Sequence, residues 1–226
     1  MKIGIIGAGH IGSVLARHLV ELDHEVSIAN SRGPESLRLI AAQTGATAVR
    51  AEDAPKGADV VIVTIPEKAV VDLSRTLFDG VPEDVVVIDT GNYYPEYRDG
   101  HIAAIDGGLL DSQWVERTLG RPVVKAFNNI FFQSLDEKGM RAGTPGRVAL
   151  SVAGDRPHDK QVALELIEQL GFDAIDAGEL SDSWRQQPGT PAYCHDLDAA
   201  GLRRALAEAD PSRIAEYRAA ADRQVA

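Results

Sequence analysis

Residues 2–15, KIGIIGAGHIGSVL, decide the fold. Lys2 to Ile6 reads as a short apolar strand, and Gly7-Ala8-Gly9-His10-Ile11-Gly12 turns it into a helix. The three glycines have separate tasks. Gly7 allows the tight turn out of the strand, Gly9 lets a pyrophosphate approach the backbone, and Gly12 lets the helix lie close on the sheet. The N–H groups of the first helical turn, those of His10 and Ile11 among them, have no intrahelical partner and face the phosphates. Ile11, Val14, Leu15, Leu19 and Leu22 recur at helical spacing, as a helix packed on a sheet requires. Such a glycine triplet is a weak signal alone. Here it stands between a strand and an amphipathic helix, which is the setting a dinucleotide site needs.

The next strand, Val26 to Ala29, ends in Asn30-Ser31-Arg32-Gly33. Sites that select NAD usually place Asp or Glu about here, where it accepts from the ribose 2′-OH. This chain has Asn30 instead, followed by a hydroxyl and a guanidinium. A carboxylate would repel a 2′-phosphate, whereas Ser31 and Arg32 can hold one. A charge-assisted hydrogen bond contributes about 1.5–3 kcal/mol, or roughly 10- to 100-fold in affinity. The expected cofactor is therefore NADP(H).

Strands and helices alternate outward from this unit, as in a mostly parallel sheet flanked by helices. Pro34 opens a helix running to about Thr44, and Thr47 to Ala51 is a short strand. DVVIVTI, residues 59–65, is a continuous apolar run of the kind buried on both faces of a sheet. Pro66 stops it, and a helix is expected from about Lys68 to Phe78. Val85 to Asp89 forms another buried strand that ends at Thr90-Gly91-Asn92. Leu110 to Leu119 reads as helix, and Pro122 to Phe127 as strand. Arg147 to Ala153, a helix at about Asp159 to Leu170 and Phe172 to Asp176 make a further strand–helix–strand. Two short helices, about Leu197 to Ala209 and Ser212 to Arg223, close the chain.

The fold class is thus α/β, a Rossmann-type doubly wound sheet with a small C-terminal α/β lobe and a helical tail. Residues 1–122 are expected to bind NADP, and residues 123–226 to extend the sheet and build an acceptor-binding lobe. Ligands of open α/β sheets bind outside the carboxyl ends of the strands. On that rule Thr64, Ile65, Pro66 and the Asp89-Thr90-Gly91-Asn92 stretch line the nicotinamide side. Lys125 and Asn128, with Asn129, sit at the end of a strand, where they either orient a nicotinamide carboxamide or an acceptor carbonyl, or form a buried ion pair and a satisfied loop.

Composition narrows the function further. The 226 residues carry a formal net charge of −11, which gives no support for binding nucleic acid or an anionic membrane surface. Every apolar run is interrupted before membrane-spanning length. Cys194 is the single cysteine, so no intrachain disulfide can form, and a cytoplasmic setting is expected. No metal-ligand spacing stands out, and Cys194 beside His195 is a poor nucleophile pair because adjacent residues seldom face each other.

GIIGAGHIGSVLARHL, NSRGPESL, VIVTIP, VVKAFNN and DAGELSDS together resemble the F420-dependent NADP oxidoreductase family, over about Met1 to Ser183. The resemblance implies NADP held across the first sheet with its nicotinamide against a deazaflavin (F420) or flavin, to which the C4 hydride passes. It carries over Gly7, Gly9, His10, Ile11 and Gly12 to the pyrophosphate, Ser31 and Arg32 to the 2′-phosphate, and Ile65 and Pro66 to the nicotinamide. Where the family has an apolar helical segment, this chain has WRQQPGTPAYC, residues 184–194. Trp184, Arg185, Gln186, Gln187 and Tyr193 there either stack on a planar acceptor or brace a structural loop. The apolar stripe of the tail (Leu197, Leu202, Ala205, Leu206, Ala209) is core or a homodimer face. Hydride transfer to a deazaflavin or flavin is the first expectation. Reduction of a small imine or carbonyl compound is the second, and a non-catalytic NADP(H) sensor the third. No residue is singled out as a general acid or base.

Overall fold

The computed structural model describes residues 1–225. Six parallel strands form the main sheet: β1 (Lys2–Ile6), β2 (Glu25–Ala29), β3 (Thr47–Val49), β4 (Val60–Val63), β5 (Val86–Asp89) and β6 (Val124–Lys125). Their order is β3-β2-β1-β4-β5-β6. The strand order reverses between β1 and β4, and this switch point is where a crevice opens at the carboxyl ends. Helix α1 (His10–Glu21) follows β1, and α2 (Arg38–Thr44) follows β2 after a 3₁₀ turn at Pro34–Leu37.

Alternation within the strands assigns the two faces. Ile3, Ile5, Val26, Ile28, Val60, Ile62, Val86 and Ile88 point to the side covered by Leu15, Ala16 and Leu19 of α1. Ile6, Ala29, Val61, Val63, Val85 and Val87 point to the other side. That second face is covered by Val70 and Leu77, by Ile105 of α3 (Ala103–Asp106), and by Trp114 and Val115 of α4 (Asp111–Leu119). Burial on both faces accounts for the unbroken apolar run of β4.

The helix expected from Lys68 to Phe78 is absent. A 3₁₀ turn spans Glu67–Asp72, and Leu73 is extended (φ −67°, ψ 138°). The Ser74 hydroxyl accepts from the Thr76 N–H at 3.2 Å, a local bond that competes with helical pairing. Val70, Leu77 and Val81 still pack on the sheet, so the apolar pattern is used without the helix.

After β6 come α5 (Phe132–Glu137), β7 (Ala149–Val152), α6 (Pro157–Gln169) and β8 (Asp173–Asp176). β7 and β8 pair in parallel, and Lys125 bridges Ala153 antiparallel, which joins the pair to the edge of the main sheet. The boundary expected at 122/123 falls just before a strand of the main sheet, and β7 and β8 form a separate two-stranded sheet linked to it by that single bridge. α7 (Ala199–Glu208) lays Leu202, Ala205 and Leu206 on Ala149 and Ile175, so the tail's apolar stripe is core. α8 (Ile214–Val225) crosses back to the first domain. Its Arg218 guanidinium donates to Asp111 Oδ1 at 3.0 Å, and Asp222 accepts from the Tyr97 N–H at 3.0 Å. No helix among the described residues is long and apolar enough to cross a membrane.

Candidate active site

A cleft of about 490 Å³ opens at the carboxyl ends of β1, β4 and β5. Gly9, His10 and Ile11 form its near end, Thr64, Ile65, Pro66, Gly91 and Asn92 one wall. Phe127, Ile130, Phe131 and Phe132 line another side, and Tyr94, Arg98, Tyr193 and Cys194 complete it.

The fingerprint glycines differ in what constrains them. Gly7 has φ +122°, and a Cβ there would lie 2.1 Å from the Thr64 carbonyl oxygen. A Cβ on Gly12 would lie 2.0 Å from the Gly7 carbonyl oxygen, which fixes how closely α1 crosses β1. Gly9 is the opposite case: a Cβ there would meet nothing within 4 Å. Packing does not explain a glycine at Gly9, but a cradle for a pyrophosphate does, because it needs that open backbone. The His10 ring stacks on Phe132, with centroids 4.2 Å apart and planes 14° from parallel, leaving its backbone N–H at the helix start.

Asn30 shapes the turn after β2. Its Oδ1 accepts from the Arg32 N–H at 2.9 Å, and its Nδ2 donates to Ser36 Oγ at 2.9 Å. Ser31 and Arg32 are left exposed. β2 and β3 are in register with Ala29 opposite Val49, so Arg50 follows on β3 where Asn30 follows on β2; its guanidinium lies 3.7 Å from the Glu52 carboxylate.

Two expected contact residues have other tasks. Lys125 is completely buried; its Nζ donates to Asp89 Oδ2 at 3.0 Å and to the Gly91 carbonyl at 2.6 Å. Burial disfavours its charge, yet Asp89, Glu67 and Asp111 outweigh this and raise its pKa above the ordinary lysine value. It is thus corrected from a ligand contact to the anchor of the Gly91 peptide, whose N–H also donates to Asp89 Oδ1 at 2.8 Å. Asn128 lines the cleft, but its amide is engaged: Nδ2 donates to Asn92 Oδ1 (3.1 Å) and to the Gln186 carbonyl (2.7 Å), and Oδ1 accepts from Gln186 Nε2 (2.8 Å). Asn128 therefore orients Asn92 rather than a nicotinamide carboxamide.

Glu67 sits below this wall, fully buried with both carboxyl oxygens unpartnered. Desolvation, reinforced by the charge of Asp89, raises its pKa well above the ordinary value. Desolvation also raises Asp111, against the pull of Lys125 and Arg218.

The 184–194 loop divides in two. Trp184, Gln186 and Gln187 are buried and Arg185 lies over the Trp184 ring at 4.9 Å, so this half braces the lobe. Tyr193 and Cys194 reach the cleft. Cys194 has φ +56° and Phe127 φ +60°, conformations that cost of order 1–3 kcal/mol and gather at functional sites. The Cys194 N–H donates to the Asn129 carbonyl at 3.0 Å, which ties the two strained turns together. Burial pushes the Cys194 thiol up to about 12, which excludes a standing thiolate nucleophile. Of this lining the sequence pointed to Tyr193 but not to Tyr94, Phe127, Phe131 or Phe132; Tyr93-Tyr94-Pro95 directly after Asn92 was the available signal for Tyr94.

Residues 2–93, which run from β1 just past β5, match the model of a family described as "NADP oxidoreductase coenzyme F420-dependent". Over this unit the chain is similar to that family, which the sequence motifs also resemble. The hypothetical protein SMa0349 of Sinorhizobium meliloti superposes with a TM-score of 0.73 and 32% identity, over 87% of this chain and 95% of that one. An Arthrobacter sp. FB24 protein, provisionally named an F420-dependent NADP-reductase, superposes with a TM-score of 0.64 over 81% of this chain and 87% of its own, at 21% identity. That level of identity supports the fold. Protein YjhV of Escherichia coli K12 is 45% identical over 72 residues, 32% of this chain. The chain covers 53% of YjhV, about half the length of that relative.

Proposed function

We propose that the protein is an NADP(H)-dependent oxidoreductase whose hydride partner is a deazaflavin (F420) or a flavin. The observation that carries this reading is the cleft at the strand switch point, open at Gly9 and continuous with a wall of flat aromatic side chains. Gly7, Gly9 and Gly12 with the His10 and Ile11 N–H groups would hold the pyrophosphate. Ser31 and Arg32, on the turn that Asn30 braces, would hold the 2′-phosphate. Thr64, Ile65, Pro66, Gly91 and Asn92 would face the nicotinamide. Bound there, NADPH supplies a hydride from its nicotinamide C4. Ile65, Phe127 and Ile130 would exclude water from that position, while the Lys125–Asp89 pair fixes the Gly91 peptide behind it.

Reduction of a small imine or carbonyl compound is a second reading, favoured by the tyrosine hydroxyls Tyr94 and Tyr193 at the cleft. The test is NADPH oxidation at 340 nm with F420, FMN, FAD, a small cyclic imine, a small ketone and no acceptor in parallel. Turnover with a ring acceptor supports the first reading. Turnover confined to the imine or ketone moves the assignment to the second. Saturable NADPH binding without any turnover makes the protein a nucleotide sensor and refutes both.

A further inference from the structure

The Tyr94 and Tyr193 hydroxyls stand 2.6 Å apart at the cleft. They come from distant parts of the chain, Tyr94 from the turn after β5 and Tyr193 from the loop before α7. Asn92 Nδ2 also donates to the Tyr193 hydroxyl at 3.4 Å, and Asn92 is itself oriented by Asn128 and by the Arg98 guanidinium, which donates to its carbonyl. A tyrosine hydroxyl carries one O–H to donate. Two hydroxyls joined by one bond consume one of their two protons, so one O–H remains to donate. The Asn92 contact does not use it, because there the amide is the donor. The Cys194 thiol beside Tyr193 is only a weak acceptor.

We infer that this tyrosine pair is a catalytic hydrogen-bond donor, directed at the ring carbonyl or ring nitrogen of the acceptor where negative charge gathers during reduction. The inference rests on the ring-acceptor reading above. Reduction adds the hydride to the central ring, at a carbon in a deazaflavin or a nitrogen in a flavin, and breaks a π bond whose electron pair moves through the conjugated ring to a ring nitrogen or carbonyl oxygen; NADPH leaves as NADP⁺. A proton from water then neutralises the ring. An O–H already aimed at that atom stabilises the charge as it forms, in a partly dry site where such a bond counts for more than in water. The environment suits a donor rather than an acid. Desolvation raises both tyrosines above the ordinary phenol range, so each keeps its proton through any working pH.

The shared proton gives the inference a signature. In Tyr94→Phe or Tyr193→Phe the remaining hydroxyl loses its partner but keeps a free O–H within about a hydrogen-bond length of the lost one. Each single variant should therefore lose less than about threefold, and the double variant roughly 10- to 100-fold in kcat/KM for the ring acceptor. A second readout needs no turnover: riboflavin titrated by fluorescence quenching into the protein saturated with NADP⁺. Riboflavin should bind the double variant about tenfold more weakly than wild type, with NADP⁺ affinity unchanged. Thermal melting checks that the variants fold. If wild type binds riboflavin and reduces a ring acceptor while the double variant does both equally well, the tyrosine inference fails and the ring-acceptor reading stands. If losses simply multiply from single to double variants, the hydroxyls act separately and the shared-proton argument fails. If wild type neither binds riboflavin nor reduces a ring, the ring-acceptor reading falls and the inference with it.

Discussion

Lys125→Met separates a structural lysine from a ligand-binding one. Lys125 is fully buried, and its ammonium lies 3.0 Å from Asp89 Oδ2 and 2.6 Å from the Gly91 carbonyl. Methionine fills a similar volume but leaves Asp89 without its counter-ion in a cluster that also contains Glu67 and Asp111. Removing one partner of a buried ion pair costs about 3–5 kcal/mol. Part of that is offset, because the Ser112 hydroxyl and the Gly91 N–H still donate to Asp89, at 2.6 and 2.8 Å. For a chain of this size about 3–5 kcal/mol lowers Tm by roughly 6–20 °C. The assay is thermal unfolding followed by circular dichroism at pH 7, paired with an NADPH titration below the transition. Stability should fall by this amount, and the loss should shrink as pH drops and the stranded carboxylates protonate. NADPH affinity should change less than about threefold, because the ammonium does not reach the cleft. A variant as stable as wild type that binds NADPH tenfold more weakly would refute the reasoning.

Four further substitutions test other parts of the site. Arg32→Ala should weaken NADP⁺ binding by roughly tenfold or more and leave NAD⁺ binding nearly unchanged, as titrations with each would show. Gly9→Ala should melt at the wild-type temperature but bind NADPH poorly, since its Cβ enters open space, whereas Gly12→Ala should lose stability because its Cβ meets the Gly7 carbonyl. Glu67→Gln addresses pH. A folded-state pKa above the unfolded value means that wild type loses stability, by roughly 1.4 kcal/mol per pH unit, as pH rises from the unfolded pKa towards the folded one. The neutral amide removes that loss, so denaturant unfolding should show a flatter pH profile and equal or higher stability at pH 8; an unchanged profile would mean that Glu67 titrates normally.

The nucleotide half of the fold was legible because its signals are local. The Gly7–Gly12 turn, the apolar runs at 60–63 and 86–88 and the missing acid after Ala29 each sit within one short segment. The rest depended on contacts distant in sequence. Nothing near Lys125 announces that Asp89, 36 positions earlier, pairs with it, or that Gln186 occupies the Asn128 amide. The residues 68–78 have helical apolar spacing, and the Ser74 turn overrides it. Tyr94 and Tyr193 lie 99 positions apart and meet only because the loop before α7 folds back on the turn after β5. The tyrosine side of the cleft is built from such meetings, which is why the sequence pointed to the cofactor more sharply than to its partner.

The central claim is that the β1–α1 turn and the Ser31–Arg32 turn together hold a 2′-phosphorylated dinucleotide. Isothermal titration of the wild-type protein with NADPH and with NADH tests it most directly. The account predicts saturable 1:1 binding with NADPH at least about tenfold tighter than NADH, from one charge-assisted phosphate contact. Equal affinities, or no saturable binding of either nucleotide, would contradict it.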